Sequence, residues 1–418
     1  MVDKIIKYSI IGIAFFLPLS SGAVNSLIGI GIAFWLLKNI AKKEIRLRRT
    51  GLNLPLVLFF VISCVSILNS IEVRTSLQGL VKVLKYLGIY FLMVENIDDL
   101  KQVKNIITAL ILGAVIVCAD GVIQYLIGKD LFHSYPLIIN VGLKRMTAGY
   151  RHCNDFGIYL VTVVGVMWAL ALYEFKKRVR VLTFLAALLV TVCVALTFSR
   201  GAAVAFYGAA LLMGIVKKDK LVLTILVALL VAAPFLAPSG AREWVKGTHS
   251  PLEAFCNTDR IAFYKSSIQM IKAHPFVGVG VNTFVKAYPK YKVPDVDVIT
   301  PDACYAHNNY LQMAGEVGLI GLAIFFWILI ALFLELREII RNNKDKEGKI
   351  REDKELSGSI SPYFVKNAAL GLGCGIFAFC LNGLTESSFY FSKIVVVFWF
   401  VAGLAVSLKF IKDENTNS

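Results

Sequence analysis

Twelve apolar runs, each close to the length that crosses a bilayer as an α-helix, dominate this chain of 418 residues. A membrane-spanning helix needs about 20 mainly apolar residues. The runs cover residues 5–21, 23–40, 53–70, 77–94, 104–127, 154–173, 181–198, 201–216, 220–237, 312–335, 366–384 and 389–410. Charged residues make up only 17% of the chain, against about 25% in soluble domains. The sequence therefore predicts an all-α, polytopic integral membrane protein with about 12 transmembrane helices, and excludes a soluble globular or disordered chain.

The positive charge of the chain predicts its orientation in the membrane. The formal net charge is +16, and Lys and Arg collect in alternate connections between the runs: 41–49, 176–180, 217–220 and 337–354. Positively charged connections stay on the cytoplasmic side, so both termini are expected there. This distribution explains the basic balance, and nucleic acid is not an expected partner. Residues 338–360 are polar and charged, and are predicted to form a cytoplasmic loop.

The outward face carries the longest connections. Residues 1–237 would form transmembrane helices 1–9, residues 238–311 one large outward loop, and residues 312–418 helices 10–12. The apolar periodicity from Ile261 to Ile271 predicts an amphipathic helix inside that loop. A second, shorter outward loop spans 128–153. Because long loops often carry function, the chemistry is expected on the face away from the cytoplasm.

A few ionisable residues lie within or beside the apolar runs. Lys82 and Lys85 are one turn apart in the fourth run, and Asp120 lies near the outward end of the fifth. Charges inside a bilayer are costly and usually mark a functional site. The alternative is that the two lysines extend toward the interface or pair with Asp120, and the sequence leaves both open. Glu386 lies in the outward turn between the last two runs.

Three residues on the outward side suit chemistry on a phosphorylated lipid. Arg200 lies in the turn Thr197–Gly201, Arg260 opens the amphipathic helix, and His307 precedes the tenth run. A guanidinium binds phosphate through a planar fork of donors. An imidazole transfers protons near neutral pH. Viewed singly, Arg200 is also compatible with an interfacial anchor and His307 with a structural role, but their combination favours function.

The order of these motifs resembles the O-antigen ligase and polymerase superfamily. The carrying features are T-F-S-R-G at 197–201, the Arg260 helix leading into H-P-F-V-G-V-G-V-N at 274–282, and His307 followed by ten residues and Gly318. The twelve-run topology with a large outward loop before the tenth run also agrees, so the resemblance covers most of the chain. Residues 145–157 resemble a further family stretch, with His152 and Cys153 as departures.

The resemblance implies an inner-membrane glycosyltransferase. Family members transfer a glycan from an undecaprenyl-diphosphate carrier to an acceptor, which in the ligases is the lipid A core. By position, Arg200 and Arg260 would hold the diphosphate and His307 would act as general base. Lys82, Lys85 and Arg145 are candidates for further donor contacts. No metal or other cofactor is expected, because Asp295, Asp297 and Asp302 are spaced too loosely for a Mg²⁺ site. Direct attack of the acceptor on the donor would invert the anomeric centre.

Other functions remain open at this point. A polymerase of the same superfamily would use a second carrier-linked glycan as acceptor, and a protein-glycosylating relative would be longer. A lipid-linked oligosaccharide flippase belongs to another class, and would line a central membrane cavity with charge. The sequence favours the O-antigen ligase, whose partners are the carrier-linked donor, the lipid A core acceptor and the membrane.

Two cysteines, Cys256 and Cys304, fall in the large outward loop. The bacterial periplasm is oxidising, so a disulfide across the loop is one expectation. Such a bridge would stabilise the loop by a few kcal/mol on the chain-entropy model. The alternative is that both remain thiols, since neither lies in the family motifs.

Overall fold

The computed structural model describes residues 1–43, 47–140, 142–174, 176–236, 258–293, 304–352 and 361–411. Within these residues the chain is helical apart from one hairpin. The helices are α1 (Val2–Phe16), α2 (Ser21–Lys42), α3 (Asn53–Ser66), α4 (Val73–Asn96), α5 (Leu100–Ile127), α6 (Cys153–Tyr173), α7 (Lys177–Leu196), α8 (Arg200–Lys217), α9 (Lys220–Leu236), α10 (Thr258–Ala273), α11 (Phe284–Tyr291), α12 (Asn309–Glu352), α13 (Ser361–Asn382) and α14 (Ser392–Ser407). The short antiparallel strands β1 (Ile138–Asn140) and β2 (Leu143–Arg145) pair in the 128–153 connection.

The all-α membrane fold predicted from the sequence is confirmed. Each of the twelve apolar runs coincides with a helix. Among the described residues, nine helices are long and apolar enough to cross a membrane: α2, α4, α5, α6, α7, α8, α12, α13 and α14. Helices α1, α3 and α9 are shorter. The chain is therefore a multi-pass membrane protein.

Helices α6, α13 and α14 form the centre of the bundle. In each of them 83% of the membrane-crossing window is buried, against 22% in α2. Small residues bring α6 and α13 into close contact, because a Cβ at Gly375 would overlap the carbonyl oxygen of Thr162. Without a hydrophobic driving force between helices in lipid, such close backbone packing is a main source of association. The peripheral helices present Leu, Ile and Val side chains to the surroundings.

Helix α12 bends at Gly318, where φ is 73° and ψ is 178°. Essentially only glycine adopts this backbone region. The segment 275–280 packs against the bend: Leu319 N donates to Pro275 O at 2.8 Å, and Val279 N donates to Gly315 O at 2.9 Å. A Cβ at Gly318 would overlap the carbonyl of Phe276. Gly318, which ten residues separate from His307, therefore lets the 275–280 segment dock onto α12.

Replacing Gly318 with alanine is expected to destabilise the protein by at least about 1–3 kcal/mol, because the backbone region is closed to alanine and the Cβ overlaps Phe276. The readout is the unfolding temperature of purified protein in detergent. Gly29→Ala in α2 is the matched control, since no atom lies within 4 Å of its added Cβ and alanine favours a helix. Equal unfolding temperatures for the two variants would contradict this interpretation of the bend.

Two sequence predictions need correction or lie outside the described residues. Residues 338–352 were expected to be loop, but α12 continues through them to Glu352. Their polar composition marks the end of the apolar run and not the end of the helix, because Glu, Lys and Arg are good helix formers. The large connection holds two helices, α10 and α11, and α10 contains the predicted Ile261–Ile271 helix. Cys256 of the expected disulfide lies outside the described residues.

Candidate active site

The candidate site forms where the ends of several helices meet. Helix α13 ends at Asn382, and residues 383–391 lead to α14 and carry Glu386. The first residue of α12, Asn309, donates its backbone N–H to Gly383 O at 2.8 Å. This bond holds the His307 segment against the α13–α14 turn. Arg260 lies in the first turn of α10 and Asn154 in the first turn of α6, so residues distant in sequence reach the same end of the bundle.

Glu386 contacts three residues: Arg260, Asn154 and His307. Its Oε1 accepts from Arg260 Nη2 at 2.7 Å and from Asn154 Nδ2 at 2.6 Å, and its Oε2 lies 3.3 Å from His307 Nδ1. The carboxylate side chain is only 12% exposed. Because an ionised carboxylate only accepts hydrogen bonds, Nδ1 of His307 carries the proton. In the neutral imidazole Nε2 then holds the lone pair, which is the form a general base requires.

The imidazole of His307 is fixed from several directions. Its backbone has a φ of 49°, a left-handed value that is uncommon for a non-glycine residue. The ring stacks on Phe263 with a centroid separation of 5.5 Å and an interplanar angle of 27°. The Tyr264 hydroxyl oxygen lies 3.3 Å from His307 O and 3.2 Å from Leu384 O, so its single hydrogen can be donated to either carbonyl. A 35% exposed side chain is thus held in one place while remaining accessible.

The electrostatics of the cluster keep Glu386 ionised. Burial raises the pKa of the Glu386 carboxyl, but the hydrogen bond with His307 and the Arg260 charge outweigh burial and hold it below its usual range. Burial lowers the pKa of His152, whose ring accepts from Asn154 N at the start of α6. At neutral pH the cluster therefore contains a glutamate anion and a neutral His152.

Acidification is expected to weaken this cluster through His152. A histidine whose pKa is lowered in the folded state destabilises the fold as the pH falls below its unfolded value, because only the unfolded chain then takes up the proton. Between pH 7 and about pH 5, the unfolding temperature of the wild-type protein should therefore fall relative to that of His152→Gln. The same pH profile of the unfolding temperature in both proteins would contradict this account of His152.

Arg145 connects the cluster to the Thr197–Gly201 turn. Its Nη2 donates to Asn154 Oδ1 and to Phe198 O, both at 3.2 Å, and its Nε donates to Thr197 O at 3.0 Å. Arg200 follows Phe198 by two residues and begins α8. A Cβ at Gly201 would overlap Thr385 Oγ1, so the start of α8 lies directly against the α13–α14 turn. Arg145, Arg200 and Arg260 thus share one end of the bundle with His307.

Comparison with known protein families gives a match over part of the chain. Residues 185–326 match a family model described as O-antigen ligase. This match supports an assignment to the O-antigen ligase and polymerase superfamily. The match includes Arg200, Arg260 and His307, whereas Arg145 and Glu386 lie outside it. No curated protein matches the chain.

Two further candidates, Lys82 and Lys85, lie apart from the Glu386 cluster. Lys82 Nζ donates to Asn282 Oδ1 at 2.9 Å, and Lys85 Nζ donates to Asn25 Oδ1 at 3.4 Å. Neither pairs with Asp120, whose Oδ1 accepts instead from the backbone N–H of Leu131 at 2.7 Å. The pairing considered from the sequence is therefore wrong. The structure places both lysines on α4, away from the arginines of the cluster.

Glu386 and Asn154 were not predicted from the sequence as site residues. Glu386 stood out only as an acidic residue in a turn between two apolar runs. Asn154 lies within the 145–157 stretch that resembles a family motif, so a signal for it was present. Among the described residues no group of three or more His, Cys, Asp or Glu side chains is arranged to hold a metal. Asp295, Asp297 and Asp302 lie outside those residues.

Proposed function

We propose that this protein is an O-antigen ligase of the bacterial inner membrane, with its site facing the periplasm. It transfers a glycan from an undecaprenyl-diphosphate carrier to the lipid A core. The observation that carries the proposal is His307 hydrogen-bonded to a buried Glu386, at the end of the bundle where three arginines collect. The superfamily match over residues 185–326 supports chemistry on a lipid-linked glycan.

The arginines supply the charge that the leaving group requires. Breaking the bond to the carrier releases an anionic lipid diphosphate, and preorganised cations stabilise that charge as it develops. Arg145, Arg200 and Arg260 bring positive charge to the end of the bundle that holds Glu386. The site therefore favours an anionic ligand without requiring a metal ion. Glu386 and Asn154 hold Arg260 and Arg145 in place, so their guanidinium forks need little reorganisation.

His307 activates the acceptor. Its Nε2 takes the proton from an acceptor sugar hydroxyl as that oxygen attacks the anomeric carbon. The new carbon–oxygen bond forms while the bond to the diphosphate oxygen breaks, and the electron pair leaves with the diphosphate. Attack from the opposite face inverts the anomeric centre. Glu386, on Nδ1, stabilises the imidazolium that results, in the same way as the acid of a catalytic triad.

Arg260→Lys and Arg200→Lys are each expected to lower kcat/KM by about tenfold or more, because an ammonium cannot reproduce the bidentate fork. In Arg260→Lys the replacing side chain is also shorter, which weakens its contact with Glu386. The measurement is transfer by purified protein with varied donor concentration. Arg74→Lys is the matched control, since Arg74 is an exposed residue at the start of α4. Full activity in both lysine variants would rule out the diphosphate role.

The polymerase of the same superfamily is the second candidate, because the matched family and the cluster geometry fit it equally. It would use the same arginines and the same base, but a second carrier-linked glycan as acceptor. A flippase is supported less well, since Arg145, Arg260, His307 and Glu386 meet at one end of the bundle instead of lining a path through it.

A deletion strain separates these functions. A ligase deletion should leave lipopolysaccharide with core but no O-chain, while long carrier-linked polymer accumulates. A polymerase deletion would abolish the long polymer, leaving single repeat units on the core. A flippase deletion would leave carrier-linked units on the cytoplasmic side. Only the first outcome supports the proposed function.

A further inference from the structure

A partly open cavity lies between α3, α4, α12 and α14, apart from the Glu386 cluster. Its wall is mainly apolar and aromatic, with Phe59, Tyr86, Phe325 and Trp399 among the lining side chains. Lys82 and Asn282 add a cation and an amide to this wall. Binding sites for small molecules commonly combine an apolar wall with a few placed polar groups. We call this space the Lys82 cavity.

Lys82 is a cation with a neutral partner. It lies nine residues after the first residue of α4, which is about 14 Å along the helix from its N-terminal end. Its Nζ donates to Asn282 Oδ1 at 2.9 Å. In the part of the chain that the structure describes, no carboxylate oxygen lies within 4 Å of it. Because an ammonium at membrane depth is costly unless a partner compensates it, this arrangement favours an anionic ligand.

The contacts around Lys82 hold its side chain in place, and backbone N–H groups bind the nearby Glu316 carboxylate. Glu316 lines the same cavity, but its Oε2 accepts from Asn282 N at 2.6 Å and its Oε1 accepts from Phe284 N at 3.0 Å. Asn282 Nδ2 donates to Thr75 O at 3.2 Å. The Glu316 carboxylate therefore fixes the loop that bears Asn282, and the Lys82 ammonium keeps donors available for a ligand.

The Lys82 cavity adjoins the Glu386 cluster through shared backbone. The α13–α14 turn carries Glu386 in the cluster, and Phe389 and Tyr390 in the wall of the cavity. Tyr305, two residues before His307, contacts the Tyr390 ring at a centroid separation of 6.5 Å. The segment that bears the proposed base thus touches both sites. A ligand in the cavity would contact the same α13–α14 turn that carries Glu386.

We propose that the Lys82 cavity binds the acceptor, through the phosphate of the acceptor lipid at Lys82 and part of its hydrocarbon chain along the aromatic wall. This inference rests on the proposed function, because a transfer between two lipid-anchored glycans needs two lipid sites around one base. The arginine cluster fits the donor diphosphate, so the second cationic and apolar site is left for the acceptor. Lipid A and a polyprenyl carrier share this chemistry, and the test distinguishes them.

Binding is measured first, on the His307→Gln background so that no turnover occurs. The probes are core-bearing lipid A with its phosphates, the same lipid dephosphorylated, and undecaprenyl phosphate, each titrated onto purified protein in detergent. Lys82→Met should raise the Kd of one phosphorylated probe by about tenfold or more, the effect of losing a charge-assisted hydrogen bond. The dephosphorylated lipid should bind wild-type protein and Lys82→Met alike.

Matched variants keep the binding test decisive. Lys82→Arg should keep the Kd within about threefold, because the charge remains. Lys286→Met removes a lysine that pairs with Glu72 outside the cavity, and should leave the Kd unchanged. Lys82→Gln replaces Lys82→Met if the latter fails to fold. Lipid A as the affected probe assigns a ligase acceptor, and undecaprenyl phosphate assigns a polymerase acceptor. An unchanged Kd for both phosphorylated probes would overturn the proposal.

Kinetics then separate acceptor from donor. In the active protein, Lys82→Met should raise the acceptor KM while kcat and donor KM stay near wild type, which is the signature of lost ground-state binding. A raised donor KM with an unchanged acceptor KM would move Lys82 into the donor site and overturn the acceptor assignment. The binding test does not depend on transfer. An unchanged lipid affinity in Lys82→Met would therefore overturn the acceptor site without contradicting the proposed function. Absence of transfer by the wild-type protein would contradict the proposed function without changing the binding result.

Discussion

His307→Gln is expected to reduce the transfer rate by at least about hundredfold, the usual contribution of a general base. Glutamine keeps a hydrogen-bond donor and acceptor at this position, but it cannot take a proton near neutral pH. The Glu386 carboxylate and the Phe263 ring surround the side chain whether or not it is basic. Loss of rate would therefore report proton transfer and not loss of packing. Donor binding should survive, since the arginines remain.

His133→Gln is the matched control for this substitution. His133 is 31% exposed, against 35% for His307, and its Nδ1 also lies near a carboxylate, 3.8 Å from Asp130 Oδ1. Its replacement should leave transfer within about twofold of wild type, as for a surface substitution away from the chemistry. Near-normal turnover by His307→Gln would instead assign His307 a packing or acceptor-binding role.

Glu386→Gln is expected to lower kcat by about hundredfold without raising the donor KM. A glutamine amide donates to His307 Nδ1, so the proton of the neutral imidazole moves to Nε2 and the base is lost. Arg260 meanwhile loses its carboxylate partner at 2.7 Å and keeps its full charge for the donor diphosphate. A fall in kcat with an unchanged or lower donor KM is the signature of a residue that positions the base.

Glu335→Gln is the control for loss of a buried carboxylate. Glu335 accepts from Gly51 N at 2.6 Å and pairs with Lys409 at 2.9 Å, but it contacts none of the proposed catalytic residues. Its replacement should lower the unfolding temperature and leave the rate per folded molecule unchanged. An equal rate for Glu386→Gln and Glu335→Gln would show that Glu386 is only structural.

The fold was largely predictable because one physical requirement dominates it. A helix that crosses lipid must satisfy its backbone internally and carry about 20 apolar residues, and such runs are visible in the sequence. The extension of α12 through 338–352 was not predicted, since outside the membrane a polar helix and a polar loop share the same composition.

The site was only partly predictable. Arg200, Arg260 and His307 were found because they lie in ordered motifs. Glu386 and Asn154 belong to the site because the fold brings α6, α10 and the α13–α14 turn together. No sequence pattern along a single helix reveals such contacts between elements. For the same reason Lys82 and Lys85 were grouped with the arginines on charge alone. The arrangement of helices around the bundle places Lys82 at a separate cavity.

The most direct measurement is transfer by purified protein in detergent, with undecaprenyl-diphosphate-linked glycan as donor and core-bearing lipid A as acceptor. The anomeric configuration of the new linkage is read by NMR, and released undecaprenyl diphosphate is counted. The wild-type protein should form an inverted linkage and release one carrier diphosphate for each linkage, in the presence of a metal chelator, and His307→Gln should form almost none. A retained configuration, or equal product from His307→Gln, would contradict direct displacement with His307 as the base.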